Sequence, residues 1–485
     1  MASKISDTPR PLPTASSRAP AAKAPPPPEN KAKAPDLSWN KDRFETGSTQ
    51  PLPRLPAPQL PAPQPLPLPQ LPAPLPQPLP APVPPPPCQG PVEPTPETPT
   101  EPAPNLADSD PMTHIEYLAS DELQGRDSPS PGLDAASAYV QAHVEKYGLV
   151  GPNVNSPENP FQQRFDVFSF LGNSDANQVH GGDEHKAHKE FGHKLFEEGF
   201  YLEEGMPQET LAMLNKKYES AMKAEGQPLA PARNGGLRSV EELRALATES
   251  GQAVNTMALL PGSGPHKDEV IVVMAHLDHV GTDRRGNVHN GADDNASGSA
   301  VLMAAVPELA EAAKRGELDR SVLFIWTGAE EKGLVGSQYF VDHPIPGLST
   351  EQISGVINVD MVGRWDDQRL SVVDTDRRGQ ANYFRDVVEQ ANAQLPDPFD
   401  RINRDINMYR DRQDGAVFGR KGEDVLFLFE GLSNPKGGGD LIPEYHEPED
   451  DIDLILRDNG GEKPRRVKDL MVNVIELAAN RATEE

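Results

Sequence analysis

The sequence predicts an α/β protein, a three-layer α/β/α sandwich around a central mixed, largely parallel sheet. Short, continuous apolar runs rich in β-branched residues recur in the second half of the chain, which is typical of strands covered on both faces. A helical pattern lies between the first two runs, and strands that alternate with helices indicate a layered α/β fold. The four apolar runs span residues 270–275, 322–326, 356–359 and 425–429, and the helical pattern spans residues 297–315.

The folded part of the chain is predicted to span residues 106–485. Residues from about 167 to 252 are polar and do not fit the alternation of strands and helices, so we interpret them as an insertion or cap. Apolar residues at helical spacing predict two helices before this insertion and two within it. These four helical patterns cover residues 113–118, 133–147, 208–225 and 240–250.

Residues 1–105 are rich in proline, and 34 of the 54 prolines stand in this segment. Proline fixes φ and lacks a backbone donor, so the segment is predicted to be disordered and extended, without helices or sheet. We interpret it as a spacer. Weak contacts with proline-recognition modules are the alternative, since PxxP patterns are the ligands of such modules.

Composition narrows the function classes. The net charge of −28 disfavours nucleic acid and anionic membranes as partners. Cys88 is the single cysteine, so an internal disulfide is excluded. The sequence has no apolar stretch of transmembrane length, so no membrane span is expected. No signal peptide is recognisable either, so these features leave the cellular compartment unknown.

Acidic and histidine side chains stand where the first three predicted strands end. The first strand leads into His276 and Asp278, the second into Glu330 and Glu331, and the third into Asp360. In an open α/β sheet, the carboxyl ends of the strands face the crevice where ligands bind. An isolated HxD pair is more often structural, but three strands that each end in such residues form a convergent pattern.

Two further segments extend this pattern. Asp293 and Asp294 lie in a glycine-flanked loop before a helix, where they could cap the helix or present a carboxylate that bridges two cations. His446 follows the last predicted strand and a glycine-rich loop. Histidine and carboxylate ligands together suit zinc or, less selectively, cobalt or manganese. The residues alone therefore predict metal-assisted hydrolysis.

These segments resemble the family of di-zinc exopeptidases typified by bacterial leucyl aminopeptidase and aminopeptidase Y. The motifs AHLDHVG, NGADDNASG, TGAEEKGLVGSQYF, NVDMVGR and YHEPEDDID occur in the order of that family. The resemblance covers roughly residues 112–166 and 255–485. It implies the zinc exopeptidase fold, two Zn²⁺ ions per chain, an aminopeptidase activity on peptides with a free amino terminus, and an exported or secreted enzyme.

The resemblance also implies a role for each matching residue. Asp294 would bridge the two zinc ions, and the other four metal ligands would be His276, Asp360, Glu331 and His446. His276 and Asp360 would complete one metal's shell, and Glu331 and His446 the other's. Asp278 would orient His276, and Glu330 would be the general base and acid.

Some residues depart from the family pattern or fall outside it. A histidine usual for the family, in a loop that lines the pocket, is missing where this chain has Asp414 and Gly415. His279 and His289 are expected to line the pocket or to be structural, and Lys332 to be a surface charge. Four histidines of the insertion are interpreted as part of a solvated loop rather than a second metal site: His180, His185, His188 and His193.

Two other functions remain as alternatives. A related glutaminyl cyclase would be a transferase with one zinc ion, and a peptidase-like binding domain would have lost catalysis. The complete set of five ligands favours the two-zinc aminopeptidase over both.

Overall fold

A computed structural model of the protein describes residues 106–170 and 199–482, apart from gaps at 225–226, 234, 248, 284, 366–367, 405 and 431–443. All of these residues belong to one compact unit, Pro94–Glu485. The proline-rich segment and the four insertion histidines lie outside the described residues. In the part that is described, no helix is long and apolar enough to cross a bilayer.

A mixed sheet of nine strands forms the middle layer. In spatial order the strands are β2, β1, β3, β5, β4, β6, β9, β7 and β8. Strands β5, β4, β6 and β9 run parallel at the centre, whereas β1, β2 and β3 on one flank and β7 on the other join by antiparallel pairing. The strands are β1 Gln162–Ser169, β2 Gly199–Phe200, β3 Glu249–Leu260, β4 Val270–His276, β5 Ser321–Thr327, β6 Ile353–Val359, β7 Arg369–Val373, β8 Arg401–Asn403 and β9 Val425–Phe429.

Helices cover both faces of the sheet. Ile271, Val273 and Ala275 of β4 pack in a core cluster with α1, α2, α5, α7 and α10. Val272 and Met274 point to the other face and pack in a cluster with residues of α6 and α8. Successive strand residues point to opposite faces, so this division makes a three-layer sandwich and confirms the predicted fold class. The helices are α1 Pro111–Leu118, α2 Pro131–Lys146, α3 Gln208–Ala224, α4 Val240–Leu246, α5 Gly298–Lys314, α6 Val335–Asp342, α7 Phe384–Gln394, α8 Gly415–Lys421, α9 Ile452–Asn459 and α10 Glu462–Ala479.

The residues between β1 and β3 form an addition to one edge of the sheet. They contribute β2, which pairs with β1, together with α3 and α4. Phe170, Phe200, Leu214, Tyr218 and Leu243 give this addition a small apolar core of its own. The described residues between β1 and β3 therefore include two helices close to their predicted positions, together with β2, which was not predicted.

Candidate metal centre

The parallel strands at the centre of the sheet bring the predicted ligands together. His276 is the last residue of β4, and Asp360 directly follows β6, its neighbour. Glu331 lies four residues beyond the end of β5, on the other side of β4. Because parallel strands end at the same edge, these side chains meet above one edge of the sheet.

Asp294 lies between two histidines. Its Oδ1 is 3.2 Å from Nε2 of His276, and its Oδ2 is 3.0 Å from Nε2 of His446. The segment Ala292–Ser297 that carries it connects the crevice to α5. Each carboxylate oxygen thus faces a different imidazole, which is the arrangement that a carboxylate bridging two cations requires.

The side chains around Asp294 form two groups of potential ligands that share it. In the first group, Nε2 of His276 is 3.3 Å from Oδ1 of Asp360. In the second, Nε2 of His446 is 3.1 Å from Oε2 of Glu331. The potential ligand atoms within each group all lie within 4.8 Å of one another.

The second group also contains His279, which the sequence analysis placed among pocket-lining or structural residues. Its Nδ1 is 2.9 Å from Oε1 of Glu331 and 3.9 Å from Oδ2 of Asp294. The residue is fully buried, and its Nε2 has no hydrogen-bond partner among the described residues. Only its proximity in sequence to His276 and Asp278 could have indicated this position.

The donor set fits two cations such as Zn²⁺. All six residues of the two groups are buried. Oδ2 of Asp294 is buried without a well-aligned hydrogen bond, although Nε2 of His446 lies 3.0 Å away, and burial of an unsatisfied carboxylate oxygen is costly. A bound cation would satisfy it. His276, Asp294 and Asp360 would hold one ion, and Asp294, Glu331 and His446 the other.

Electrostatics favour the same interpretation. Burial raises the pKa of Asp360 to about 6, although the neighbouring His276 opposes the rise. Burial and the charge of Asp294 oppose ionisation of Glu331, but His446 and His279 outweigh them and lower its pKa to about 2. The buried acids raise the pKa of His276 and of His446, whereas burial lowers the pKa of His279. Such crowding of carboxylates is typical of sites that bind cations.

Asp278 connects the ligand segments, though its contacts differ from the expected ones. Its carboxylate accepts hydrogen bonds from the backbone amides of Glu330, at 3.1 Å, and Glu331, at 3.3 Å. Nδ1 of His276 is 3.1 Å from the backbone carbonyl oxygen of Asp278 but 3.9 Å from its carboxylate. With Nδ1 as the donor, the carbonyl fixes the tautomer that directs the Nε2 lone pair of His276 at the centre.

Glu330 is half-buried beside the ligands, more accessible than Glu331. Burial raises the pKa of Glu330 well above its usual range, and the charges of Asp414 and Glu331 add to the rise while His276 opposes it. A carboxyl group of raised pKa that solvent can still reach is suited to proton transfer near neutral pH.

Asp450 supports the loop of Asp294, a role that the sequence analysis did not identify. Its carboxylate accepts hydrogen bonds from the backbone amides of Asp293, at 2.9 Å, and Asp294, at 3.1 Å. Its own carbonyl accepts one from the amide of Ala292. Asp450 is fully buried and lies four residues after His446, so its contacts connect the two ligand segments.

Gly415, where the family has a histidine, is closely packed. A Cβ atom there would lie 2.7 Å from Oε1 of Gln413 and 2.8 Å from Cγ1 of Val425, so no larger residue fits without rearrangement. Asp414 beside it is buried and accepts a hydrogen bond from Oγ1 of Thr327. The packing around Gly415 therefore leaves no room for the histidine that the family has at this position.

Lys332 is not the surface charge that we expected. Its side chain is only 12% exposed, and its Nζ lies 3.2 Å from Oδ1 of Asp127. Its backbone carbonyl accepts a hydrogen bond of 2.7 Å from the amide of Gly199 in β2. The insertion therefore contacts the chain directly beside Glu331.

The comparisons with known proteins agree with this geometry. Residues 255–471 match the model of peptidase family M28. Aminopeptidase YwaD of Bacillus subtilis is 28% identical over 240 residues, which cover 49% of this chain and 46% of that protein. Leupeptin-inactivating enzyme 1 of Streptomyces exfoliatus is 37% identical over 123 residues, 25% of each chain. The chain thus spans about half the length, or less, of these curated relatives.

Among solved structures, BSAP, a zinc aminopeptidase from Bacillus subtilis, is similar with 18% identity and a TM-score of 0.48. The match covers 76% of this chain and 94% of that one. The region that matches the family model contains all six side chains of the two ligand groups. This region, somewhat less than half of the chain, is therefore similar to peptidase family M28.

Proposed function

We propose that the protein is a two-zinc aminopeptidase that hydrolyses the amino-terminal bond of peptides. His276, Asp294, Glu331, Asp360 and His446 would be its metal ligands. The observation that carries the proposal is the position of Asp294, whose two oxygens face different histidines at 3.2 and 3.0 Å. The match to peptidase family M28 and the similarity to aminopeptidase YwaD support the substrate class.

Two bound zinc ions would supply an activated water and polarise the scissile carbonyl. Glu330 would accept a proton from that water as its oxygen forms a bond to the carbonyl carbon. The same carboxyl group would then give the proton to the nitrogen as the carbon–nitrogen bond breaks. Asp278 would hold Glu330 and Glu331 in place through their backbone amides, and the surrounding carboxylates would favour a cationic amino terminus.

The alternatives differ in the number of metal ions. A glutaminyl cyclase with one zinc ion would leave one of the two ligand groups without a role. A binding domain without catalysis would have no need of the half-buried Glu330 beside these groups. The presence of both groups, which share Asp294, therefore favours the two-zinc hydrolase.

The variant Glu330→Gln tests the proposed mechanism. It preserves shape but cannot accept the proton, so hydrolysis of an aminoacyl anilide is expected to fall by about 10²- to 10⁴-fold. Bound zinc, measured by elemental analysis, is expected to stay unchanged. Glu423→Gln is a matched control, because this carboxyl is also partly buried with a raised pKa but lies near the amino end of β9. Full activity of Glu330→Gln would rule out its assigned role.

A further inference from the structure

Arg126 is a buried cation beside the candidate centre that is not part of either ligand group. The residue is only 1% exposed. It belongs to the short helical segment Asp121–Arg126 between α1 and α2. A guanidinium so deeply buried must donate its hydrogen bonds within the protein, and its partners therefore indicate its role.

All the hydrogen-bond acceptors recorded for the Arg126 side chain are backbone carbonyls. Its Nε donates to Leu277, at 2.8 Å, between His276 and Asp278. Its Nη1 donates to Asn290, at 2.7 Å, and Nη2 to Gly291, at 3.1 Å. Nη1 also donates to the carbonyl of Leu118, the last residue of α1. One planar group thus joins the loop of His276 to the loop that leads to Asp294.

The backbone around Arg126 is fixed against the same loop. Its carbonyl accepts a hydrogen bond from the amide of His279, and the carbonyl of Gly125 accepts one from Gly281. Gly125 has a φ of +68°, and a Cβ there would lie 2.4 Å from the carbonyl oxygens of Gly281 and His289. Only glycine permits this close approach, so the position of Arg126 is tightly determined.

The charge of Arg126 also matters at this place. Burial lowers its pKa to about 10, but the carboxylates of Asp278, Asp450, Asp294 and Glu331 oppose this effect. The group therefore stays cationic at neutral pH. A fixed positive charge beside four carboxylates reduces their mutual repulsion, and the planar guanidinium presents several donors at once, which lysine cannot reproduce.

We propose that Arg126 is a positioning residue of the metal centre, which holds the His276 and Asp294 loops in the arrangement that binds zinc. This inference rests on the proposed function for its metal, but not on hydrolysis itself. Partners that fix the position of metal ligands typically contribute about 10- to 100-fold in metal affinity.

The experiment compares Arg126→Met with a matched variant, Arg320→Met. Arg320 is 3% exposed and donates to the backbone carbonyls of Ala479 and Arg481. It directly precedes β5, so it lies at the amino end of this strand, whereas the candidate centre lies at the carboxyl ends. Zinc affinity is measured by competition with a chelator, below the melting temperature of both variants. The visible spectrum of bound Co²⁺ reports the geometry of the centre independently.

Both variants are expected to melt at lower temperature, but only Arg126→Met should lose zinc affinity, by about 10- to 100-fold, with an altered Co²⁺ spectrum. Equal zinc affinity and spectra in the two variants would overturn the proposal. If Arg126→Met does not fold, Arg126→Lys and Arg320→Lys replace the pair, and the same comparison decides. A wild-type protein that binds zinc without hydrolysing peptides would contradict the proposed activity alone, since the zinc affinities still decide the role of Arg126.

Discussion

At the scale of single residues, His279 and Asp450 determine how the candidate ligands are held. His279 lies against the Glu331 carboxylate, and Asp450 accepts both amides of the loop that carries Asp294. Neither residue needs to bind a metal to affect the metal affinity of the site, because groups that orient the ligands fix the geometry and basicity of the donor atoms.

His279 provides a direct test at this scale. His279→Ala removes the contact with Glu331, so zinc affinity in the group of Asp294, Glu331 and His446 is expected to fall by about 10- to 100-fold. Competition with a chelator measures it. His266→Ala is the control, because this histidine lies in the loop before β4 and contacts Asp319, shortly before β5, at the other end of these strands from the candidate centre. Unchanged zinc affinity in His279→Ala would show that the histidine only fills space.

The sequence motifs predicted residues that the structure brings together, but not all of their supports. Adjacent strand ends place His276, Glu331 and Asp360 in one crevice, which the order of apolar runs already implied. The residues that support these ligands could not be predicted in this way. Asp450 and Arg126 act through contacts between segments 150 or more residues apart, such as Asp450 with Asp293 and Arg126 with Leu277. Local sequence patterns contain no information about such contacts.

At the scale of elements, burial decided which strands could be predicted. The four apolar runs correspond to β4, β5, β6 and β9, the parallel strands at the centre of the sheet, which are covered on both faces. The flanking strands were missed. They are polar or short, as in β2, β7 and β8. Antiparallel pairing of β2 with β1 and of β7 with β9 makes the sheet mixed, as predicted.

The packing of α2 on α5 predicts a dependence of stability on pH. Nε2 of His143 on α2 donates to the carbonyl of Met303 on α5, and burial, together with the nearby His114, lowers the pKa of His143 to about 4. The unfolded chain, with a pKa near 6.5, therefore binds more protons between these values. Stability contributed by this histidine is full above pH 6.5 and falls as the pH drops towards 4.

For His143, the loss between pH 7 and pH 5 is expected to be about 2 kcal/mol in the free energy of unfolding. Denaturant titrations at both pH values measure it. His143→Gln keeps a donor for Met303 but cannot take up a proton, so the difference between the two pH values should be smaller by this amount. An equal difference in the variant and the wild type would contradict the assignment.

At the scale of the whole molecule, the ligands of the proposed site lie between residues 276 and 446. Arg126 and Asp450 support the loops that carry them. All of these residues lie after residue 105, and the sequence of residues 1–105 predicts a spacer. We therefore predict that a chain starting at residue 106 folds and hydrolyses aminoacyl anilides with unchanged kcat/KM. A large loss of kcat/KM in the shortened chain would show that the spacer takes part in the site.

The structure of the insertion was the hardest part of the molecule to predict from sequence. Its polar composition indicated a departure from the fold, but not that Gly199 would hydrogen-bond to Lys332 beside Glu331, or that Tyr201 would donate to Asp342 on α6. These contacts depend on where β2 joins the sheet edge, and a strand of two residues has no recognisable pattern.

The most direct test of the central claim is the return of activity as zinc is added to chelated protein. Hydrolysis of an aminoacyl anilide and bound zinc are measured on the same samples. Because Asp294 faces a ligand group on each side, activity is expected to return and to reach its plateau at two zinc ions per chain. A plateau at one ion per chain, or zinc binding without any hydrolysis, would contradict the two-zinc aminopeptidase.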